Sequence, residues 1–330
     1  MAKKTKTAAT RGAKTRTAAK AKAARAPKPV VAAGELRSLR DLVRFAVSRC
    51  NAAGVVFAHG TTDPVAEAAF LICEALHLHP DQFELFADAR VTAAEAKAVL
   101  ALIERRIATR KPAAYLVNKV YMRGLPFYVD ERVIVPRSFI GELLDSHFGD
   151  DGESVSLIED PLSVTRVLDL CTGSGCLAIL AALHFPNAMV DAVDISRDAL
   201  AVASRNVADH GLEDRVTLYQ GDLFDAVGEA RYDLIITNPP YVDASGMASL
   251  PRECLHEPRL AFDGGADGLD IVRRIVDEAG DHLMPGGGLL CEIGRGRVAL
   301  EEAYPDLPLL WLDTEESAGE VFWLPAGMLA

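Results

Sequence analysis

The stretch Asp233-Leu234-Ile235-Ile236-Thr237-Asn238-Pro239-Pro240-Tyr241 runs from apolar residues into a carboxamide, two prolines and a phenol. Consecutive prolines have fixed φ and no N–H groups, so the carbonyls of this corner are held in place without being drawn into a strand ladder. Acceptors arranged in that way suit a side-chain amide, whose nitrogen shares its lone pair with its carbonyl and attacks poorly in water. If the Asn238 side-chain oxygen and the Pro239 carbonyl each accept one N–H, the nitrogen gains electron density and is aimed at an electrophile. Positioning then supplies most of the acceleration. A dry pocket walled by Tyr241 favours loss of charge from a sulfonium as its methyl group moves. Asn238, Pro239, Pro240 and Tyr241 are therefore the candidate catalytic residues, and the plain alternative is a tight turn with a tyrosine lid.

Upstream, Asp169-Leu170-Cys171-Thr172-Gly173-Ser174-Gly175-Cys176-Leu177-Ala178 forms a glycine-rich turn between a β-rich run and a helical one. Gly173 and Gly175 let backbone approach a ligand closely, as the first turn of a doubly wound sheet requires. The turn also satisfies G-x-G-x-x-A, so a nicotinamide dehydrogenase is a competing reading. Asp194, at the end of the next β-rich run, can accept both ribose hydroxyls in either class. Gly221-Asp222-Leu223-Phe224 leans toward S-adenosylmethionine, because this segment can read an adenine amino group and cover its ring. For Asp222 the ordinary alternative is a solvated turn carboxylate.

These loops must be presented by alternating strands and helices. The pattern predicts parallel strands at 166–170, 188–193, 216–220, 234–237 and 288–292 in an α/β architecture. A closing antiparallel pair is expected at 309–312 and 321–324. Ahead of them, Leu39, Leu42, Val43, Ala46 and Val47 follow helical spacing. A second helix is expected from Thr61-Thr62-Asp63-Pro64 to about Leu78, and a third from Thr92, with Glu95 completing a capping box. The three form a small bundle. Residues 120–122 and 127–129 flank Gly124-Leu125-Pro126 as a hairpin, Val133-Ile134-Val135 extends the strand character, and 149–160 reads as an exposed acidic loop. The resulting division is a basic tail over 1–34, a helical substrate-recognition domain over 35–115, a hairpin connector and linker over 116–160, and a cofactor-binding catalytic domain over 161–330.

Composition narrows the setting. With 330 residues, half of them hydrophobic, the chain can bury a full core. It has no apolar run of membrane-spanning length and no secretory-type stretch at its start, so a soluble cytoplasmic protein is expected. Its six cysteines are scattered without a C-x-x-C pair, which points to reduced, mostly buried thiols. The dispersed histidines give no recognisable metal spacing, and no metal is expected. Residues 1–29 carry ten basic side chains and no acidic one, which leaves 25 basic against 47 acidic residues and a body charge of about −22. Such a body repels nucleic acid, so no DNA partner is expected. The Ala-, Lys- and Thr-rich tail cannot fold alone. It is either a steering arm toward ribosomal RNA or a solubilising extension; a transit peptide fits less well, since lysine dominates and serine is absent.

Taken together, the D-L-C-T-G-S-G-C turn at 169–176, Ala192-Val193-Asp194, Asn238-Pro239-Pro240-Tyr241-Val242-Asp243, His256-Glu257-Pro258 and Asp267-Gly268-Leu269-Asp270 resemble the protein-glutamine N5-methyltransferases. Within them the chain is most similar to the PrmB type, which modifies the third protein of the large ribosomal subunit. The resemblance covers residues 36–330. It implies a class I S-adenosylmethionine-dependent methyltransferase fold, a Rossmann-like seven-stranded sheet preceded by a helical domain. It also implies cofactor contacts at Asp169, Thr172, Gly173, Gly175, Asp194, Asp222, Leu223 and Asn238, and substrate contacts at Asn238, Pro239, Pro240 and Tyr241. The expected substrate is that ribosomal protein, free or in a ribosome precursor. Release-factor methyltransferases, the sister group, typically show P-R-P followed by acidic residues where this chain has Pro136-Arg137-Ser138-Phe139. The ribosomal-protein type usually has proline at the position of Phe139. A DNA adenine methyltransferase would share the turn and the corner but needs a basic groove, and a dehydrogenase has no use for Asn238 to Tyr241. A ribosome assembly factor without chemistry would have no reason to keep the whole set.

Overall fold

A computed structural model describes residues 35–148, 156–158, 160–315 and 317–329. The basic segment 1–34 and most of the acidic loop expected at 149–160 lie outside the described residues. The three helices of the expected bundle form, the second and third where their capping signals stand. In α1 (Leu39–Ala52) the Ser38 hydroxyl accepts from the Asp41 N–H, and the Asp41 carboxylate accepts in return from the Ser38 N–H. In α2 (Pro64–Ala75) the Asp63 carboxylate accepts from the N–H groups of Val65 and Ala66. This helix ends three residues before Leu78, because the chain turns through His77 at φ 58°. A short α3 (Phe83–Phe86) precedes α4 (Ala93–Thr109), which carries the capping box of Thr92 and Glu95. Leu42, Ala46, Ile72, Val99 and Ile103 fill the space between the three long helices. Arg106 is wholly buried there and pairs with Glu67 at 2.9 and 3.3 Å.

After α5 (Ala113–Val117) come the antiparallel strands β1 (Val120–Met122) and β2 (Leu125–Phe127). Their hairpin is tighter than its sequence suggests. Leu125 and Pro126, read as turn residues, pair with Met122 and Tyr121, and the chain reverses through Arg123 and Gly124 at φ 50° and 77°. Positive φ at both central residues matches the natural twist of paired strands. Val133, Ile134 and Val135 do not form the expected strand. They begin an irregular strap, residues 133–139, in which Val133 and Val135 are buried. The strap leads into α6 (Ile140–His147), which the sequence reading left inside a linker; eight residues are too few for helical periodicity to stand out. Ile140, Leu143 and Leu144 of α6 are buried on the side of α7 (Cys176–His184).

The strands β3 (Arg166–Leu170), β4 (Met189–Asp194), β5 (Val216–Gln220), β6 (Tyr232–Thr237), β7 (Leu283–Glu292), β8 (Leu310–Asp313) and β9 (Ala318–Pro325) form one sheet in the order β5-β4-β3-β6-β7-β9-β8. Only β9 is antiparallel to its neighbours, so the expected closing pair is present. β7 begins earlier than expected: Leu283 pairs with Tyr232 ahead of a register shift, and the Pro- and Gly-rich stretch between disguises the strand. Helices α8 (Arg197–Asp209), α9 (Ala244–Ser249), α10 (Asp270–Ala279) and α11 (Arg297–Ala303) complete the α-helices among the described residues. Val167, Val190, Leu234 and Ile236 pack on one face of the sheet and Leu168, Leu170, Ile235 and Leu289 on the other. Burial on both faces explains why these strands read as continuous apolar runs. No helix among the described residues is long and apolar enough to cross a membrane.

The order of the strands decides where a ligand can sit. β3 lies between β4 and β6, so the chain winds outward through β4 and β5 and then returns to the other side of β3. At that switch the loops after β3 and β6 leave the same edge side by side, which is where open parallel sheets bind ligands.

Candidate active site

The turn after β3 is built around Asp169. Its buried carboxylate accepts through Oδ2 from the Thr172 hydroxyl at 2.5 Å and from the Ala178 N–H at 3.0 Å. Burial pushes this carboxyl up to about 7, against the pull of those two donors. Asp169 lines neither of the cavities at the sheet edge; it supports the turn from beneath. Gly175 likewise lines neither cavity. It stands at φ 81°, and a Cβ there would meet the Cβ of Ala203 on α8 at 3.2 Å, so its glycine serves helix packing. Thr172 and Gly173 do face the cavities, and Cys171 between strand and turn is held at φ 60°. A non-glycine residue in that region marks a turn whose shape the surroundings impose.

Asp194 closes β4 and locks onto the same turn. Its Oδ2 accepts from the Gly173 N–H and its Oδ1 from the Ser196 N–H, both at 2.8 Å. Burial raises this carboxyl above its ordinary value, and the two N–H groups oppose the rise. After β5, Asp222 and Leu223 line the same cavity as Asp194, with Leu223 at φ 51°. Asp222 already accepts from Arg274 at 3.0 Å through one oxygen, a partner the sequence did not suggest. Phe224 does not cover the cavity. It is buried and stacks on His282 at 4.4 Å between ring centres, and the apolar wall is made by Leu223 and Ile195 instead.

The corner after β6 stands level with the turn after β3, since Thr237 pairs with Leu170 and donates its hydroxyl to the Leu170 carbonyl at 2.9 Å. Asn238 borders two cavities of about 190 and 220 Å³ that share Ile134, Cys171, Gly173 and Ala261 as walls, so the two lie side by side as the halves of one cleft region. Pro239 and Tyr241 line the first and Pro240 the second. Among the described residues no hydrogen bond engages the Asn238 side chain or the Pro239 carbonyl. The corner is braced from behind by Gly268 at φ 83°, where a Cβ would lie 2.4 Å from the Tyr241 carbonyl oxygen. The Asp267-Gly268-Leu269-Asp270 segment thereby gains a packing role.

Two carboxylates missed as site residues hold the strap over this cleft. Glu292, at the end of β7, accepts from the Ser138 hydroxyl at 2.7 Å, the Phe139 N–H at 3.0 Å and the Tyr241 hydroxyl at 3.2 Å. Burial lifts it to about 7. Glu257 accepts from the Val135 N–H at 2.9 Å and Arg137 at 3.2 Å, and its other oxygen meets His59 Nε2 at 2.9 Å. His59 and Arg137 hold Glu257 below its usual range although burial pushes the other way. A charged residue inside the apolar run Leu289-Leu290-Cys291-Glu292-Ile293 was the one available signal for Glu292. His59, by contrast, is nearly two hundred positions from Glu257, and nothing local pairs them. Cys254 joins them, with ligand atoms of all three residues within 4.8 Å, but both Glu257 oxygens are already committed to protein donors.

Family models match two stretches of the chain: "Methyltransferase small domain" over residues 151–257 and "PrmC N-terminal domain" over residues 41–117. A curated protein of Bradyrhizobium diazoefficiens, "Ribosomal protein uL3 glutamine methyltransferase", is 74% identical over 91% of this chain and 94% of its own length. Proteins of the same name from Bordetella pertussis and Burkholderia pseudomallei are 54% and 53% identical, over 88% and 89% of this chain and 95% and 96% of theirs. The seven-stranded order with its single reversed strand is that of a class I methyltransferase whose cofactor is S-adenosylmethionine. Identity at this level along nearly the whole length settles the family: the chain belongs to the ribosomal protein uL3 glutamine methyltransferase family.

Proposed function

We propose that this chain methylates the side-chain amide nitrogen, N5, of a glutamine in ribosomal protein uL3, in the cytoplasm where ribosomes assemble. The observation that carries this reading is the Asn238 corner, with its unengaged acceptors, at the border of two adjoining cavities, the second of which Asp194 also lines. Release-factor methylation is the second reading, and the names of the relatives favour the ribosomal target. Residues 35–115 would present the substrate, 116–160 connect, and 161–330 hold the cofactor. The tail's ten basic residues suit a contact with ribosomal RNA when the substrate sits in a precursor.

The residues present fit S-adenosylmethionine. Asp194 keeps lone pairs beyond its two backbone donors for ribose hydroxyls, Leu223 and Ile195 offer an apolar wall to a purine, and Thr172 and Gly173 border the passage to Asn238. Asp222 retains one oxygen for an amino group. In this reading Asp169 and Gly175 act through the shape of the turn. The cofactor supplies a methyl group on a positively charged sulfur.

The chain's own contribution is to the amide. Asn238 Oδ1 and the Pro239 carbonyl accept its two N–H groups, Pro240 keeps the corner rigid, and Tyr241 with the strap excludes water. The amide nitrogen sheds a proton only after its lone pair is used, so no strong base is needed. Incubating the protein with methyl-labelled S-adenosylmethionine and unmethylated uL3 or release factors, followed by mass spectrometry, tests the assignment. Label on a uL3 glutamine is expected; label on release factors alone would replace the first reading by the second.

A further inference from the structure

We propose that Glu292 is a positioning residue for methyl transfer, joining the Tyr241 wall of the cleft to the strap at Ser138 and Phe139 through one buried carboxylate. The inference rests on the role given above to the corner of residues 238–241. Glu292 is 1% exposed and among the described residues forms no ion pair, an arrangement costly to bury unless donors replace water. Three do, from two segments distant in sequence: Ser138 and Phe139 share Oε2, and Tyr241 takes Oε1. A glutamine can keep one oxygen for Ser138 and Phe139 but turns its amide hydrogens toward the Tyr241 hydroxyl, which must then accept where it donated, and the charge that strengthens all three bonds is gone. Ser138 and Tyr241 both line the cavity that Asn238 opens on. Fixing them against each other sets the width of the space in which the amide must lie.

The groups facing Glu292 are Tyr241 from the corner, Ser138 and Phe139 from the strap, Cys291 beside it on β7 and Glu320 from β9. Arg137, also on the strap, acts on Tyr241. Burial, aided by repulsion from Glu320, raises the Glu292 carboxyl to about 7, while its three donors favour the ionised form. Protonation of Oε1 reverses the bond to the Tyr241 hydroxyl and removes the charge that strengthens the other two. Activity should therefore weaken as pH falls below that value.

The test compares kcat, cofactor KM, thermal stability and the pH profile of kcat in the full chain and in Glu292→Gln, with Asn238→Ala alongside. We expect kcat to fall roughly tenfold to a hundredfold, as a small misplacement of reacting groups would cause, and cofactor KM to change by less than about threefold. The acid limb near neutrality should disappear in the variant. Joining Tyr241→Phe to Glu292→Gln should cost less than the product of the two single losses, because both disturb the same contact. Should Glu292→Gln fail to fold, Ser138→Ala with Tyr241→Phe carries the same expectation of a combined loss smaller than the product of the single losses. Parental kcat with an unchanged pH profile, or independent multiplying losses, would overturn the proposal. If Asn238→Ala also kept the parental rate, the failure would lie in the reading of the corner itself.

Discussion

The two halves of the cleft are held together in different ways. On the cofactor side, Asp169 and Asp194 act on the segments that follow their own or a neighbouring strand, Asp169 on Thr172 and Ala178 and Asp194 on Gly173 and Ser196, and only Asp222 takes a distant partner, Arg274. On the corner side, the anchors come from far away. Glu292 reaches Ser138 and Phe139, and Glu257 reaches Val135 and His59. The first half is therefore largely a property of short βα units. The second exists only once the helical region, the strap and the far end of the sheet have come together. Binding of the cofactor and alignment of the amide should accordingly fail separately.

The largest separation is expected from Asn238→Ala. Turnover should drop about a hundredfold to a thousandfold, the usual scale for deleting one oriented polar contact to a reacting group, with cofactor affinity near the parent value by calorimetry. Comparable losses in affinity and turnover would erase the distinction between the halves. Asp194→Ala should do the reverse, weakening cofactor binding roughly tenfold to a hundredfold through loss of charge-assisted bonds, and equilibrium titration would show it. Glu257→Ala, on the corner side, strands His59 and Arg137 and should cost about 3 kcal/mol of stability. Denaturant melts would expose a smaller effect.

Proton linkage separates the strap's two anchors further. Glu257 is held low in the fold, so its contribution is present above its unfolded value and lost as pH falls through the folded one. Glu292 is raised to about 7 from an ordinary 4.5, so its burial subtracts stability as pH climbs across that interval. Relative to the parent, Glu292→Gln should thus gain stability between pH 4.5 and 7, while Glu257→Gln should not; thermal melts across that range decide. The smallest effect is expected from removing residues 1–29, which should leave the rate on isolated protein substrate nearly unchanged. A large loss in that assay would make the tail part of the catalytic apparatus.

Legibility followed the same division. β3 and β5 lie where the alternation of β-rich and helical runs places them, and the Thr92 capping box is made by the residues that announce it. The glycine turn, Asp194 and the Asn238 corner also sit together at one sheet edge. What failed was local in appearance and tertiary in cause. Phe224 looked like a cover for an adenine ring but is claimed by His282. Val133 to Val135 looked like a strand, yet the Val135 N–H is used by Glu257 rather than by a ladder. Helix α6 is too short to show a period, and only its burial against α7 reveals why it forms.

By itself the sequence determined the fold class and where the glycine turn and the proline corner stand, because each depends on residues within a few positions of one another and on backbone rules for glycine, proline and capping side chains. Tertiary structure alone decided that Glu257 and Glu292 hold the strap, that His59 belongs to the same network, and that Gly175 and Gly268 serve close packing. Those outcomes depend on which buried donors are left facing which buried carboxylates after the chain has closed, and separation along the sequence carries no record of that.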